Sequence, residues 1–155
     1  MKILMNRYFG TNSITKSMLT VMAKSGRVLM QCEAREPRFS DYAATFPGCS
    51  FYCLAEGAFP CKPLPTRQSP MTLTVIKSPG HRCCRFGWEE FEQKAVNRIL
   101  VGEANEEVPP DVRQIHQQRD TFMRLTGLVY KAYAIEEPVM LEITNEILRQ
   151  STLYV

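Results

Sequence analysis

The stretch SMLTVMAKSGRVLMQCEA, residues 17–34, decides how this chain folds. It contains two apolar runs, Met18 to Ala23 and Val28 to Cys32. A short polar turn that includes Gly26 separates the two runs. Apolar runs on either side of a glycine-containing turn are typical of a β-hairpin. The stretch therefore predicts a pair of adjacent antiparallel strands.

The residues before the hairpin, 2–9, predict a further strand. Successive side chains of a strand point to opposite sides, so Ile3, Met5 and Arg7 share one face. Both faces of this strand are mixed in polarity. Together with the hairpin it predicts an antiparallel meander at the start of the chain.

Short apolar or alternating segments predict more strands further along. They lie at 50–54, 58–62, 71–78, 82–86, 98–101 and 139–144. Pro60 has no N–H to donate, so we expect it at an edge of the sheet or at a bulge. Residues 35–49 contain two prolines and a glycine without a clear period. They predict a loop, or an excursion with a short helical turn.

One principal helix is predicted near the C-terminal end. Phe122, Leu125 and Val129 recur at helical spacing, and Pro138 prevents continuation of the helix. No repeat or linker divides the 155 residues, a length that suits one core. We therefore expect a single α+β domain over residues 1–155. Its form is a mainly antiparallel sheet, or a partly closed small barrel, with this helix packed on it.

Charge and hydropathy limit the classes of partner. The formal net charge is +3, and the 19 Lys and Arg residues are scattered, so nucleic acid is not indicated. No apolar run approaches the roughly 18 residues of a membrane-spanning helix. Arg7 and its polar neighbours interrupt the apolar segment that a signal peptide would need. We expect a cytoplasmic protein that does not bind a membrane and whose partner is another protein, with its oligomeric state open.

Six cysteines raise the question of disulfides, metal binding or catalysis: Cys32, Cys49, Cys53, Cys61, Cys83 and Cys84. Three disulfides would suit an exported protein, which the opening residues do not indicate. A zinc site would use the last five of these thiols and His81, but their spacing does not fit the usual zinc motifs. We predict no metal and no cofactor, and interpret the thiols as compact apolar filling.

The stretch CCRFGWEEFEQKAVNRILVG, residues 83–102, could hold a reactive thiol. His81 lies two residues before Cys83 and shares its strand face, whereas Cys84 points to the opposite face. Because an imidazole within reach can activate a thiol, catalysis by Cys83 or Cys84 with His81 is an alternative hypothesis. Nothing in the sequence marks a third orienting group or an oxyanion hole. The simpler interpretation is a protein that is not an enzyme.

Aromatic residues in the same stretch suggest a different kind of site. Phe86, Trp88 and Phe91 could form a platform on which a sugar or a base stacks. Aromatic clusters with this spacing also anchor a core or an interface. Ligand binding by these three residues is therefore a secondary hypothesis.

Five short fragments occur in an order that resembles a family of small domains found in prophages and in Bacteroidetes genomes. They are NRYFG at 6–10, CEAREP at 32–37, AEGAFPC at 55–61, MTLTVIKSP at 71–79 and RILVG at 98–102. The family pattern runs from an RYYFG-like strand through an E-D-P-like segment and IP-G-Y to R-I-H-x-G-N and G-C-I-L-V-G. The resemblance implies an accessory domain of phage or mobile-element origin.

The histidine and cysteine of that pattern are similar to the motif of L,D-transpeptidases, which cross-link peptidoglycan through a thioester. This chain has Arg98 at the cysteine position and the neighbourhood of Gly87 at the histidine position. We therefore predict a non-catalytic accessory domain that binds another protein. The alternative is a cysteine-dependent peptidoglycan-modifying enzyme of L,D-transpeptidase type that uses Cys83 or Cys84 with His81.

Overall fold

The computed structural model describes residues 1–10, 14–37, 54, 56–63, 73–77, 81–87, 98–104, 115–116 and 118–146. Within these ranges the chain forms nine strands and one helix. The strands are β1 (Lys2–Gly10), β2 (Ile14–Met22), β3 (Val28–Pro37), β4 (Gly57–Pro63), β5 (Leu73–Lys77), β6 (His81–Gly87), β7 (Arg98–Ala104), β8 (Ile115–His116) and β9 (Met140–Thr144). The helix, α1, spans Gln118–Ala134.

Eight of the described strands form a closed barrel in the order β3-β2-β1-β9-β4-β5-β6-β7. The ring closes because β7 pairs again with β3, where Ala34 lies opposite Val101. The short β8 pairs with the end of β7. Every strand of the ring has two neighbours, so the described barrel presents no free edge.

For the described residues, the prediction of a small barrel with one helix is confirmed, although the ring is fully and not partly closed. The alternative of an open, mainly antiparallel sheet is wrong. Six pairs of the ring are antiparallel. The β1–β9 and β6–β7 pairs are parallel. Parallel strands are joined by a long crossover connection and not by a tight turn. Turn signals in the sequence therefore could not indicate these two pairs.

The predicted meander of β1, β2 and β3 is confirmed. Ile3 and Met5 of β1 are fully buried inside the barrel, opposite Val21 and Leu19 of β2. Gly26 in the β2–β3 turn has a φ of 90°, in the left-handed region that glycine enters without strain. The alternation in β1 and the turn chemistry therefore correctly indicated these three strands.

β3 extends further than the sequence predicted. It continues to Pro37, although residues from 35 onward were expected in a loop. Arg35 pairs with Lys16 of β2 on one side and with Leu100 of β7 on the other. Pairing with β2 and with β7 therefore makes the second half of β3 a strand, although its sequence has no strand pattern. The strand predicted at 50–54 lies, apart from its last residue, outside the described residues.

Pro60 was expected at an edge of the sheet or at a bulge, and in the closed ring it lies where β4 has a partner on one side only. It pairs with Met140 of β9, while the pairing of β4 with β5 begins only at Cys61. The proline thus occupies the point where β4 changes from one neighbour to the other. Its missing N–H breaks neither of these two ladders.

α1 packs on the barrel through the face that the sequence predicted. Phe122, Leu125 and Val129 are all buried and belong to the same apolar cluster as the barrel interior. Near the end of the helix, the hydroxyl of Tyr133 donates a hydrogen bond of 3.0 Å to the carbonyl oxygen of Cys61. The helix is therefore anchored to β4 by a polar contact as well as by its apolar stripe.

The end of α1 is set by its backbone and by a proline. Glu136 takes the left-handed conformation with a φ of 59°. The N–H of Glu137 then bonds to the carbonyl of Ala132 at 2.9 Å, which is the hydrogen bond of a Schellman C-cap. Pro138 follows and directs the chain into β9, as the sequence indicated.

Candidate functional site

Buried charge marks two places in the barrel, and the first is in its interior. Arg7 lies on the inward face of β1 and is fully buried. Its Nε and Nη2 donate hydrogen bonds to the two carboxylate oxygens of Glu36, at 2.9 and 2.8 Å. Its Nη1 donates to Oδ1 of Asn145 at 3.0 Å, and Nη2 also donates to the carbonyl oxygen of Leu54 at 2.6 Å.

This interior ion pair fastens parts of the chain that are distant in sequence. Arg7 belongs to β1, Glu36 to β3, and Asn145 follows β9. The backbone N–H of Asn145 donates to Oε1 of Glu56 at 2.6 Å, which adds the segment before β4. A bidentate, fully hydrogen-bonded pair is the geometry in which a buried ion pair is tolerated. We interpret it as a structural element and not as a ligand site.

The second place is on the outer wall, across β1, β2, β3, β7 and β6. It begins at a β-bulge between Arg7 and Phe9, where Tyr8 is the extra residue of β1. A bulge bends a strand and changes the direction of the side chain it carries. Here the hydroxyl of Tyr8 donates a short hydrogen bond to Oε1 of Glu33 on β3.

Two charged side chains of this wall are withdrawn from solvent. Lys16 and Glu33 are each only 1% exposed, although they lie on the face opposite the core residues of β2 and β3. The ammonium of Lys16 lies 5.5 Å from the centroid of the Phe9 ring, within the range of a cation–π contact. Oε2 of Glu33 has no hydrogen-bond partner among the described residues.

Three arginines continue the outer wall across β3, β7 and β6. Arg85 and Arg98 are paired residues of the parallel strands β6 and β7. Arg35 lies opposite Leu100, two residues beyond Arg98 on the same face of β7. All three arginines are partly exposed. We call the following six residues the outer-wall site: Tyr8, Lys16, Glu33, Arg35, Arg85 and Arg98.

The charge of the outer-wall site is uneven, with four cationic side chains and one carboxylate. Burial and, to a smaller extent, the charge of Arg85 together lower the pKa of Arg98 from 12.5 to about 10. Arg98 remains protonated at neutral pH, but its lowered pKa reflects partial desolvation and repulsion between the two guanidinium groups.

The aromatic residues singled out in the sequence do not belong to this site. Phe86 is 2% exposed and is part of the barrel core. Trp88 and Phe91 lie outside the described residues. The aromatic platform therefore stays a prediction, and Phe86 as it is packed offers no free ring face to a ligand.

The proposed catalytic residues fall on β6. Cys84 is half-buried and packs against the core, on the same inward face as Phe86. The side chains of His81 and Cys83 lie outside what the structure describes. A catalytic pair of His81 with either thiol therefore stays a hypothesis without geometric support.

The thiols whose side chains are described behave as apolar filling. Cys32, Cys61 and Cys84 are free, and the first two are buried. Burial raises the pKa of the Cys32 thiol and of the Cys61 thiol to about 12. Because the thiolate is the nucleophile, a thiol with such a pKa is unreactive at neutral pH.

Metal binding and membrane crossing both depend on features of the described part of the chain. No group of three or more His, Cys, Asp or Glu residues there could hold a metal ion. Cys49 and Cys53, which the zinc hypothesis also used, lie outside the described residues. No described helix is long and apolar enough to cross a membrane.

The outer-wall site was not predicted from the sequence. Its residues come from five strands, and only the register of the barrel brings them together. One signal was present: three of the fragments that carry the family resemblance, 6–10, 32–37 and 98–102, contain Tyr8, Glu33, Arg35 and Arg98. The first and third fragments were interpreted as strands and the second as the end of a strand that enters a loop, and none as a contributor to one site.

In the part that the structure describes, the chain is a closed β-barrel with one packed helix and three neighbouring arginines on its outer wall. It matches no family model, and comparisons with curated proteins and with solved structures found no match. The geometry described above is therefore the basis for proposing a function.

Proposed function

We propose that this chain is a non-catalytic accessory domain that binds another protein through the outer wall of its barrel. The observation that supports this best is the outer-wall site, where charged side chains from four strands gather on a closed sheet. The barrel interior holds buried apolar side chains and the Arg7–Glu36 ion pair. A rigid wall that carries three partly exposed arginines in fixed positions suits recognition of a partner.

The setting of this domain is also part of the proposal. The three described thiols are free, which agrees with a reducing compartment such as the cytoplasm. The fragments that resemble the phage-associated family favour an accessory protein of a phage or mobile element. In that setting, a small domain without its own chemistry would act by attaching to a protein of the same element or of its host.

A photo-crosslinking experiment tests the proposed binding surface. p-Benzoylphenylalanine replaces Leu100, which lies on β7 between Arg35 and Arg98 on the outer wall. The matched control carries the same group at Ser25, in the exposed β2–β3 turn. In cells that naturally contain the protein, we expect discrete adducts from position 100 and none from position 25. Equal adduct patterns, or none at position 100, would contradict binding through this wall.

Thiol labelling at neutral pH separates binding from catalysis. In the folded protein we expect every cysteine to react more slowly than free cysteine, and Cys32 and Cys61 to react only after unfolding. Variants Cys83→Ser and Cys84→Ser assign any labelled position. Labelling of Cys83 or Cys84 faster than free cysteine, lost on His81→Ala, would replace the binding proposal with the L,D-transpeptidase-type enzyme.

A further inference from the structure

The outer side of α1 has the spacing of a second packing face. Four of its residues follow each other at intervals of four, three and four positions: Met123, Gly127, Tyr130 and Ala134. This is the heptad spacing by which two helices pack along a shared seam. The buried stripe of α1, which packs on the barrel, is centred on the opposite side of the helix. We call these four residues the outer seam.

The outer seam is accessible to a partner. Met123 is 39% exposed, Ala134 is exposed, and Gly127 and Tyr130 are half-buried. Ile135, which follows the helix directly, is 73% exposed. Met123 and Ile135 are two of the three large apolar side chains that are exposed in the described part of the chain. Exposed apolar residues that gather at one element are typical of an interaction surface.

Gly127 is the unexpected residue of the outer seam. Glycine weakens a helix relative to alanine, and a Cβ at this position would meet no atom within 4 Å. Packing within the described chain therefore does not explain the glycine. A second helix would explain it, because the distance between two helix axes depends on the side chains at their contact. A glycine there allows a close approach.

The exposed residues that flank the outer seam are cationic. With the seam at heptad positions a and d, the exposed e and g positions are Arg119, Arg124 and Lys131. Arg124 lies 3.9 Å from Glu103, but these side chains are 60% and 32% exposed, so the pair contributes little. Asp120, the one acidic residue of α1, lies in the first turn, where its charge complements the helix dipole. Because charges at e and g select the partner of a seam, this seam suits a helix with acidic flanks.

We infer that the outer seam of α1 packs against an amphipathic helix of another protein, whose apolar stripe is flanked by acidic residues. This inference goes beyond the proposed function, because it concerns α1 and not the outer wall of the barrel. From Arg119 to Ala134 the helix is about 24 Å long, so a partner helix of about three heptads covers the seam.

Other occupants fit the outer seam less well. Two copies of this chain would bring the cationic flanks of two helices together, whether the helices are parallel or antiparallel, and like charges there disfavour pairing. A helix that lies on a membrane presents large apolar residues such as Trp, Phe and Leu. Gly127 and Ala134 contribute little apolar area to such a surface. An acidic helix satisfies both the spacing and the charge.

The test uses a fluorescent peptide of three heptads with Leu at positions a and d and Glu at e and g. The control peptide has Lys in place of Glu. Repulsion between like charges at e and g prevents each peptide from pairing with itself. Fluorescence anisotropy measures binding to the full chain at low and at high salt. We expect the Glu peptide to bind, the Lys peptide to bind at least about tenfold more weakly, and salt to reduce this difference. Equal binding of the two peptides would overturn the inference.

Charge reversal on α1 tests the flanks of the seam. We expect Arg119→Glu and Lys131→Glu each to weaken binding of the Glu peptide about fivefold. The double variant should prefer the Lys peptide, a reversal that damage to the fold would not produce. Arg27→Glu makes the same change of charge in the exposed β2–β3 turn and should leave the preference for the Glu peptide in place. An equal effect of Arg27→Glu would show that only the net charge of the protein matters.

Gly127→Gln tests the close approach without a change of charge. Glutamine is a better helix former than glycine, so the variant should unfold at the same or a higher temperature than the unaltered chain. We expect its affinity for the Glu peptide to fall at least about fivefold, because the added side chain occupies the seam. A folded Gly127→Gln protein that binds as tightly as the unaltered chain would overturn the assignment of the seam.

Two further measurements distinguish the other occupants. Sedimentation equilibrium should show no dimer that depends on α1, and a dimer that Gly127→Gln dissociates would overturn the choice of a partner helix. Vesicles of phosphatidylcholine and phosphatidylserine test a membrane surface. Vesicle binding that the double charge reversal abolishes, without binding of the Glu peptide, would overturn the inference as well. Either result would leave the proposed function intact, because the crosslinking test of that function uses position 100 on β7.

Discussion

At the scale of single residues, buried polar groups are the least replaceable parts of this barrel. Arg7 occupies a position that the strand pattern assigns to the core, and its charge is accommodated because Glu36 and Asn145 meet it there. The desolvation of such a pair is costly, and its hydrogen bonds offset that cost only while both partners are present. The contribution of Arg7 to the stability of the fold therefore depends on the presence of Glu36.

We expect Arg7→Met to lower the free energy of unfolding by roughly 3–5 kcal/mol, because it leaves the carboxylate of Glu36 buried without its partner. Chemical denaturation measures this change. The matched control is Lys2→Met, which breaks a 3.2 Å pair with Glu142 whose side chains are 50% and 41% exposed. That loss should stay below about 1 kcal/mol. Losses of equal size in the two variants would contradict the structural role given to Arg7.

A second prediction at this scale concerns the thiol of Cys61. Burial raises its pKa from 9.0 to about 12. Above pH 9 the unfolded chain has released this proton and the folded chain still holds it, so the free energy of unfolding falls as the pH rises towards 12. The stability of the protein should therefore decline by about 1.4 kcal/mol per pH unit more steeply than that of Cys61→Ala in this window. Parallel pH profiles for the two proteins would show that the thiol is not withdrawn from water.

At the scale of elements, α1 is a helix whose sequence is better suited to packing than to helix formation. Its buried stripe fits the barrel, but Gly127 stands in its middle. Glycine loses more conformational freedom in a helix than any other residue, and it adds no side chain to the packing. A Cβ at this position would meet nothing within 4 Å.

We expect Gly127→Ala to raise the free energy of unfolding by about 0.5–1 kcal/mol, because the helix gains propensity without a clash. Thermal and chemical denaturation measure the gain. Gly26→Ala is the comparison, since its φ of 90° is strained for alanine although the surrounding space is also open. It should lower the stability. A destabilised Gly127→Ala protein would indicate that the outer face of α1 contacts something that its geometry does not suggest.

At the scale of the whole molecule, closure of the ring determines how the protein unfolds. β3 and β7 are distant in sequence, but their pairing removes the last free edge of the described sheet. Opening this seam would expose the shared core beneath it, including Ala34 and Val101. A closed ring with one core is therefore expected to open in one cooperative step.

Native-state hydrogen exchange tests this cooperativity. The amides of β7 that join the β3 ladder should exchange with the same free energy and denaturant dependence as those at the centre of the β1–β2 ladder. The exposed turn at Lys24 to Arg27 provides the fast-exchanging reference. A lower free energy and weaker denaturant dependence for β7 alone would mean that the seam opens separately.

Much of the fold could be predicted where neighbours in sequence are also neighbours in space. The hairpin around Gly26, the alternation from Ile3 to Arg7 and the stripe of α1 all depend on local periodicity and turn chemistry. The second half of β3 could not be predicted, since it becomes a strand through ladders on both sides.

The candidate site was less predictable than the fold. The stretch from Cys83 to Gly102 drew attention because thiols and aromatics carry recognisable chemistry. In the structure, Cys84 and Phe86 pack against or within the core, while Arg85 between them faces outward beside Arg98. The alternation of side chains along a strand indicated that Arg85 points away from Cys84 and Phe86. Nothing local in the sequence indicated which strand would lie beside β6.

The sequence by itself determined the local elements of this protein, because period, turn residues and proline act within a few residues of where they stand. It also suggested that the thiols are apolar filling, which the burial of Cys32 and Cys61 supports. Only the tertiary structure decided that the sheet closes into a ring, that Arg7 meets Glu36, and that three arginines gather on one wall. Those outcomes depend on strand order and register, which are set by burying one shared core between segments from opposite ends of the chain.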